Sequence, residues 1–134
     1  MDTSEQTQNL LQANMVLKHE VIDADHEAFL ALTHQLKTAN SQTFKTLFAE
    51  LLHHTEDHFG REEQLIEQYA YPGKIEHCGE HNRVLGELRQ LNDRVQNGRL
   101  AMARAYIQDR VEDWLYQHII NMDAALTKYI EDHA

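Results

Sequence analysis

One proline and five glycines in 134 residues leave the chain few places where a helix has to stop. The clearest break is Tyr71-Pro72-Gly73, a turn by composition. Asn40-Ser41 and Asn97-Gly98 supply two more. Between them the apolar residues recur at helical spacing, with no alternation of the strand kind. Ile22, His26, Phe29, Leu30, Thr33 and Leu36 mark one face of a helix over about 23–39, for which Asp23 is the expected cap. A second helix, about 42–69 with Ser41 as cap, aligns Phe44, Leu47, Leu51, Leu65 and Tyr69. His77, His81, Val84, Leu88, Leu91 and Val95 share a stripe over about 74–96, and Ile107, Val111, Trp114, His118, Met122 and Tyr129 share one over about 99–131. Four long helices joined by short loops predict an all-α fold, an up-down-up-down four-helix bundle. Residues 1–22, polar and then mildly apolar without sustained period, read as an arm across a single domain of residues 23–134.

The inward stripes carry residues a dry core does not want. His58 and Glu62 stand one turn apart amid apolar positions of the second helix. His26 is on the first, the i, i+4 pair His77 and His81 on the third, and His118 on the fourth, with Asp123 five residues on. A single inward histidine is ordinarily a core residue with a satisfied ring, and one H-x-x-x-H is a frequent accident. Five histidines and two acids converging from four helices would, without metal, leave many polar groups unsatisfied. Asp123 fits only conditionally. Five residues turn an ideal helix by about 500°, placing it about 140° from His118, so a shared centre requires a local π-type widening. His19, His34, His53 and His133 read as solvated, as does Glu63, one residue off its stripe; His54 stays unassigned.

Imidazole and carboxylate together suit iron or manganese better than copper(I), and seven ligands exceed one tetrahedral zinc site. Two ions are implied. Two octahedral ions offer twelve positions; five imidazole nitrogens and four oxygens of two bridging carboxylates fill nine, and a bridging hydroxide or oxide takes two. One position stays open for a small ligand.

Twelve basic against 22 acidic residues give a net charge of −10, which argues against nucleic acid and anionic membranes as partners. The single Cys78 excludes an internal disulfide, and no signal peptide or spanning segment is apparent, so the cytoplasm is the expected location.

The pattern Ile22-Asp23-Ala24-Asp25-His26, His58-Phe59-x-x-Glu62-Glu63, His77-x-x-x-His81 and Trp114-Leu115-x-x-His118-Ile119 with Asp123 resembles the hemerythrin family, over about residues 20–131. That resemblance implies two non-heme irons bridged by Glu62, Asp123 and an oxo or hydroxo group. His77, His81 and His118 would hold the six-coordinate iron, and His26 and His58 the iron with the vacancy. Phe59, Trp114, Leu115 and Ile119 would line the oxygen pocket, although ordinary core packing would also account for them. Asp25 stands where many relatives carry Gln, and the arm lacks a tryptophan. The implied function is reversible dioxygen binding for storage, delivery or sensing, without catalysis beyond a weak redox side activity. A di-iron redox enzyme (peroxidase, oxidase or nitric-oxide handling) is the alternative. The ferritin-like oxidases need two Glu-x-x-His motifs, and only Glu50-x-x-His53 matches, with His53 off the stripe. A sensor would need a protein partner, because no stretch reads as an output module.

Overall fold

A computed structural model describes residues 11–134, so expectations for the first ten residues of the arm lie outside the described residues. α1 (Glu20–Thr38) starts three residues ahead of Asp23. His19 is its N-cap, its Nδ1 accepting the Ile22 N–H at 3.3 Å. Asp23 instead accepts the Leu17 N–H at 2.9 Å, which ties the incoming chain to the first turn. His19 is therefore half-buried and structural, and not merely solvated.

α2 (Ser41–Gln68) is capped by Asn40, whose side-chain oxygen accepts the Thr43 N–H; Ser41 is already the first helical residue. α2 closes on Ala70 at φ 48, with the Tyr71 N–H bonded to the Ile66 carbonyl. α3 (Lys74–Gln96) closes the same way on Gly98 at φ 84, with the Arg99 N–H on the Arg94 carbonyl. In both, the residue past the cap turns left-handed to satisfy the last carbonyls, which is free for glycine and costly for alanine.

The expected fourth helix is one rod in pieces: α4 (Ala101–Asp109), α5 (Val111–His118), a π-helical turn (Ile119–Asp123) and α6 (Ala124–His133). Arg110 departs from helical geometry at φ −129, yet Arg110 N–H to Tyr106 and Trp114 N–H to Arg110 carry the hydrogen bonding across it. Among the described residues no strand is present. α1 packs along α2 and α2 along α3, while α4 lies against both α1 and α3. In the arm, the short 3-10 turn Ala13–Met15 meets the π-helical turn; Met15 is buried, and Asn14 donates to the Tyr116 hydroxyl at 2.6 Å.

The core is divided. A large apolar cluster, including Phe29, Phe44, Phe48, Leu88, Ile107, Leu115 and Ile119, fills one end. A small one, Ile66, Leu126 and Ile130, fills the other. The inward polar residues lie on the same faces, between positions of the two clusters. Asp25, like them, is buried.

Candidate metal centre

All seven sequence-predicted ligand residues converge. His26, His58, Glu62, His77, His81, His118 and Asp123 are buried, none more than 3% exposed. α1 contributes His26, α2 the pair His58 and Glu62, α3 the pair His77 and His81, and the π-helical turn spans the step from His118 to Asp123. That turn is the local widening which five-residue spacing demanded, and it puts Asp123 beside His118 at 3.2 Å.

The carboxylate oxygens sort the imidazoles into two groups. Glu62 Oε1 faces His77 Nε2 at 3.0 Å and His81 Nε2 at 3.1 Å; Asp123 Oδ1 faces His77 Nε2 at 3.0 Å and His118 Nε2 at 3.2 Å. Glu62 Oε2 lies 2.7 Å from His58 Nε2 and 3.8 Å from His26 Nε2, and Asp123 Oδ2 lies 2.8 Å from His26 Nε2. Each acid thus gives one oxygen to a three-histidine group and the other to a two-histidine group. Each group has its donor atoms close enough together to share one ion.

The donor set fits metal better than it fits protons. Two ligands at right angles on one ion, with bonds of about 2.1 Å, are about 3.0 Å apart, the spacing seen here. Proton counting points the same way. His81 Nδ1 meets Glu63 at 2.9 Å while its Nε2 meets Glu62 at 3.1 Å, so a neutral ring has one proton for two carboxylates. A cation on Nε2 resolves the conflict and leaves the proton on Nδ1, which donates to Glu63. Without metal, His118 Nε2 and Asp123 Oδ1 lie 3.2 Å apart yet make no hydrogen bond, and the buried Nδ1 atoms of His26, His58, His77 and His118 make none either. Each orphan of this kind costs about 1–3 kcal/mol.

The charges are mutually held. Burial and the nearby Asp123 push the Glu62 carboxyl up, but His58, His77 and His81 outweigh them and keep it ionised well below the usual range. Burial likewise opposes ionisation of Asp123, and His118, His26 and His77 override it. Burial pushes His77 down, yet Asp123 and Glu62 lift it to about 9.

The four wall residues separate by position. Phe59 stacks on His81 at 3.8 Å and reaches His58 at 5.3 Å, so it touches both groups. Leu115 and Ile119 are fully buried in the large apolar cluster. Trp114 is only half-buried, stacked on His118 at 4.9 Å, with its indole N–H on Glu80 at 2.9 Å.

Three participants escape sequence reasoning. Glu63, expected to be solvated, is 40% exposed but holds His81. Asp25, adjacent to His26, accepts a two-pronged contact from Arg61 at 2.6 and 2.9 Å, and its carbonyl faces His54 Nε2 at 3.1 Å. Burial, with the neighbouring His58, pushes the His54 pKa down against the opposing pull of Asp25. Each contact crosses between helices, so only the i, i+1 neighbour to a ligand was visible beforehand. His34 and His53 are exposed as expected, at 48% and 78% of the side chain.

A helical core that gathers five imidazoles around two shared carboxylates defines a buried cation-binding class of protein. The chain belongs to the hemerythrin family: the model of the Hemerythrin HHE cation binding domain matches residues 17–130. A Bacteriohemerythrin from Ralstonia nicotianae is 30% identical over 108 residues, covering 81% of this chain and 78% of that protein.

Proposed function

We propose that this protein binds dioxygen reversibly at a pair of non-heme irons. The observation that supports this most is the division of the Glu62 and Asp123 oxygens between three histidines and two. His77, His81 and His118 would hold one iron and His26 and His58 the other, with both acids and one oxo or hydroxo group as bridges. The unequal histidine count leaves the open position on the His26–His58 side. When bound, the iron pair supplies the electrons that let dioxygen attach and leave.

The chain's own residues then set the outcome. Glu62 and Asp123 are held ionised by the surrounding histidines, and since imidazole binds metal in its neutral form the two carboxylates would be the only anionic side chains on the irons, which keeps the total anionic charge low. Low anionic charge suits reversible binding better than oxidative attack, and so favours a binder over a di-iron oxidase. Glu63 keeps the proton on His81 Nδ1 and so directs Nε2 inward. Phe59, Leu115 and Ile119, all buried, would exclude the water whose protons convert a reversible site into an oxidised one. The fold reading that goes with this is an up-down-up-down bundle in which the interrupted rod from Ala101 is the fourth helix, preceded by an arm that ends where α1 begins at Glu20 and not at residue 22. No helix in the described residues is long and apolar enough to cross a membrane, and one cysteine suits a reducing compartment, so we assign the protein to the cytoplasm.

Anaerobic iron loading followed by alternating air and argon tests the proposal by ultraviolet–visible absorption. Two irons per chain and a band that appears with air and vanishes under argon are expected. Zinc alone at the site would refute it, and immediate irreversible oxidation would hand the site to the redox-enzyme reading.

A further inference from the structure

No ligand residue is more than 3% exposed, so a reductant has little direct access to the site once its irons become iron(III). A side chain packed on a ligand and reaching the surface offers a route for the electron. Several rings pack on ligand histidines. Phe59 is 1% exposed and leads nowhere. Tyr71 meets His77 only edge-on, at 6.4 Å. His54 lies 6.0 Å from His58, with Nε2 on the Asp25 carbonyl. Of these rings Trp114 combines a near-parallel stack on a ligand, 4.9 Å and 22° from His118, with partial exposure. It lines a surface cleft of about 220 Å³ together with Glu80, Gln117, His118, Asn121 and Met122.

From this arrangement, and resting on the di-iron reading above, we infer that Trp114 is an electron-entry port through which a positively charged one-electron reductant restores the iron(II) form.

The indole is well held for such a task. Its N–H donates to Glu80, and Arg83 donates to both Glu80 oxygens at 2.8 and 3.1 Å, one of them the oxygen that holds the indole, so the ring keeps one orientation over His118. Arg83 also keeps Glu80 ionised, at a pKa of about 2. The balance is simple: each reductant molecule loses one electron and one iron(III) becomes iron(II), so two reductants restore the pair. No bond at Trp114 forms or breaks, and its N–H proton stays in place. The chain's charge of −10 favours a cationic reductant, because encounter rates rise when charges are opposite. The port also lies at the three-histidine group, while the open position belongs to the other group. Electrons and dioxygen would then use different faces, and a bound reductant would not obstruct the pocket.

The test begins with the iron-loaded protein oxidised to iron(III), mixed in a stopped-flow cell with hexaammineruthenium(II), following loss of the iron(III) absorption. Trp114→Leu should reduce several-fold more slowly, and Trp114→Phe should fall between. Gln117 is exposed at the cleft, so Gln117→Lys should slow the cationic reductant and Gln117→Glu should speed it. The same exchanges at exposed Gln90, outside the cleft, should change nothing at moderate salt, where charge effects fade over about 10 Å. A second readout needs no reduction. Trp114 is the sole tryptophan, so anaerobic iron(II) added to metal-free protein should quench its emission, and zinc(II) far less. An unchanged rate in Trp114→Leu with wild-type iron content overturns the port, as do equal responses at Gln117 and Gln90. If Trp114→Leu holds no iron, the two glutamine pairs decide. A wild type that never takes up iron refutes the dioxygen reading itself, and the port with it.

Discussion

Removing the metal should reverse the way stability responds to pH. In the metal-free core His77 has its pKa raised from 6.5 to about 9 by Asp123 and Glu62, against the opposing pull of burial. A raised pKa means that the folded state holds the proton more tightly than the unfolded chain. The resulting stability is complete below pH 6.5 and is lost as pH rises through about 9. A rise of this size corresponds to about 3 kcal/mol. For a domain of this length that is on the order of 10 °C in Tm. The metal-loaded protein behaves oppositely, since metal needs the unprotonated Nε2, and binding becomes tighter as protons become scarce. The gap in Tm between loaded and stripped protein should therefore widen steadily from pH 6.5 to 9. On the acid side Glu62 and Asp123, both depressed, contribute stability above their unfolded values of 4.5 and 3.8 and lose it as pH falls. Circular dichroism melts of chelator-stripped and iron-loaded protein, held anaerobic at pH 6.5, 7.5 and 9, measure both slopes. A stripped protein whose Tm is level or rising between pH 6.5 and 9 would refute the proton-sharing account of this core.

Leu115→Ala, at a fully buried position, should cost about 2–5 kcal/mol in a denaturant melt. It should also speed conversion to iron(III) in air at a temperature where both proteins are folded; an unchanged rate would make Leu115 plain core. Glu62→Ala and Asp123→Ala should abolish the metal pair, whereas Glu63→Ala should retain it with weaker affinity, by about 10–100-fold for loss of a ligand's outer partner. Metal analysis and a chelator competition distinguish these cases. Ala70→Gly should stabilise the protein by about 1 kcal/mol in thermal melts, because Ala70 holds φ 48 at the end of α2.

The scarcity of proline and glycine, and the 3.6-residue recurrence of apolar positions, were enough to read the helices, because both act along the chain within a few turns. α3 ends where Asn97-Gly98 says it should, since a left-handed residue past the cap is a local requirement. Six of the seven inward polar residues were legible for the same reason: helical spacing places each on a buried stripe, and burial of so many unpaired groups has few chemical solutions. For Asp123, counting degrees showed only that joining His118 would require a local widening, and Ile119–Asp123 forms it. Tertiary structure decided the rest. Nothing along the chain marks the break at Arg110, a residue with ordinary helix propensity. Asn40 rather than Ser41 caps α2, and His19 rather than Asp23 caps α1, because several neighbouring side chains could serve and the entry angle selects among them. Glu63 on His81, Arg61 on Asp25 and Glu80 on Trp114 each join residues 18 to 36 positions apart. A side chain at the edge of a stripe can face solvent or a neighbouring helix, and only the packing angle between the helices determines which.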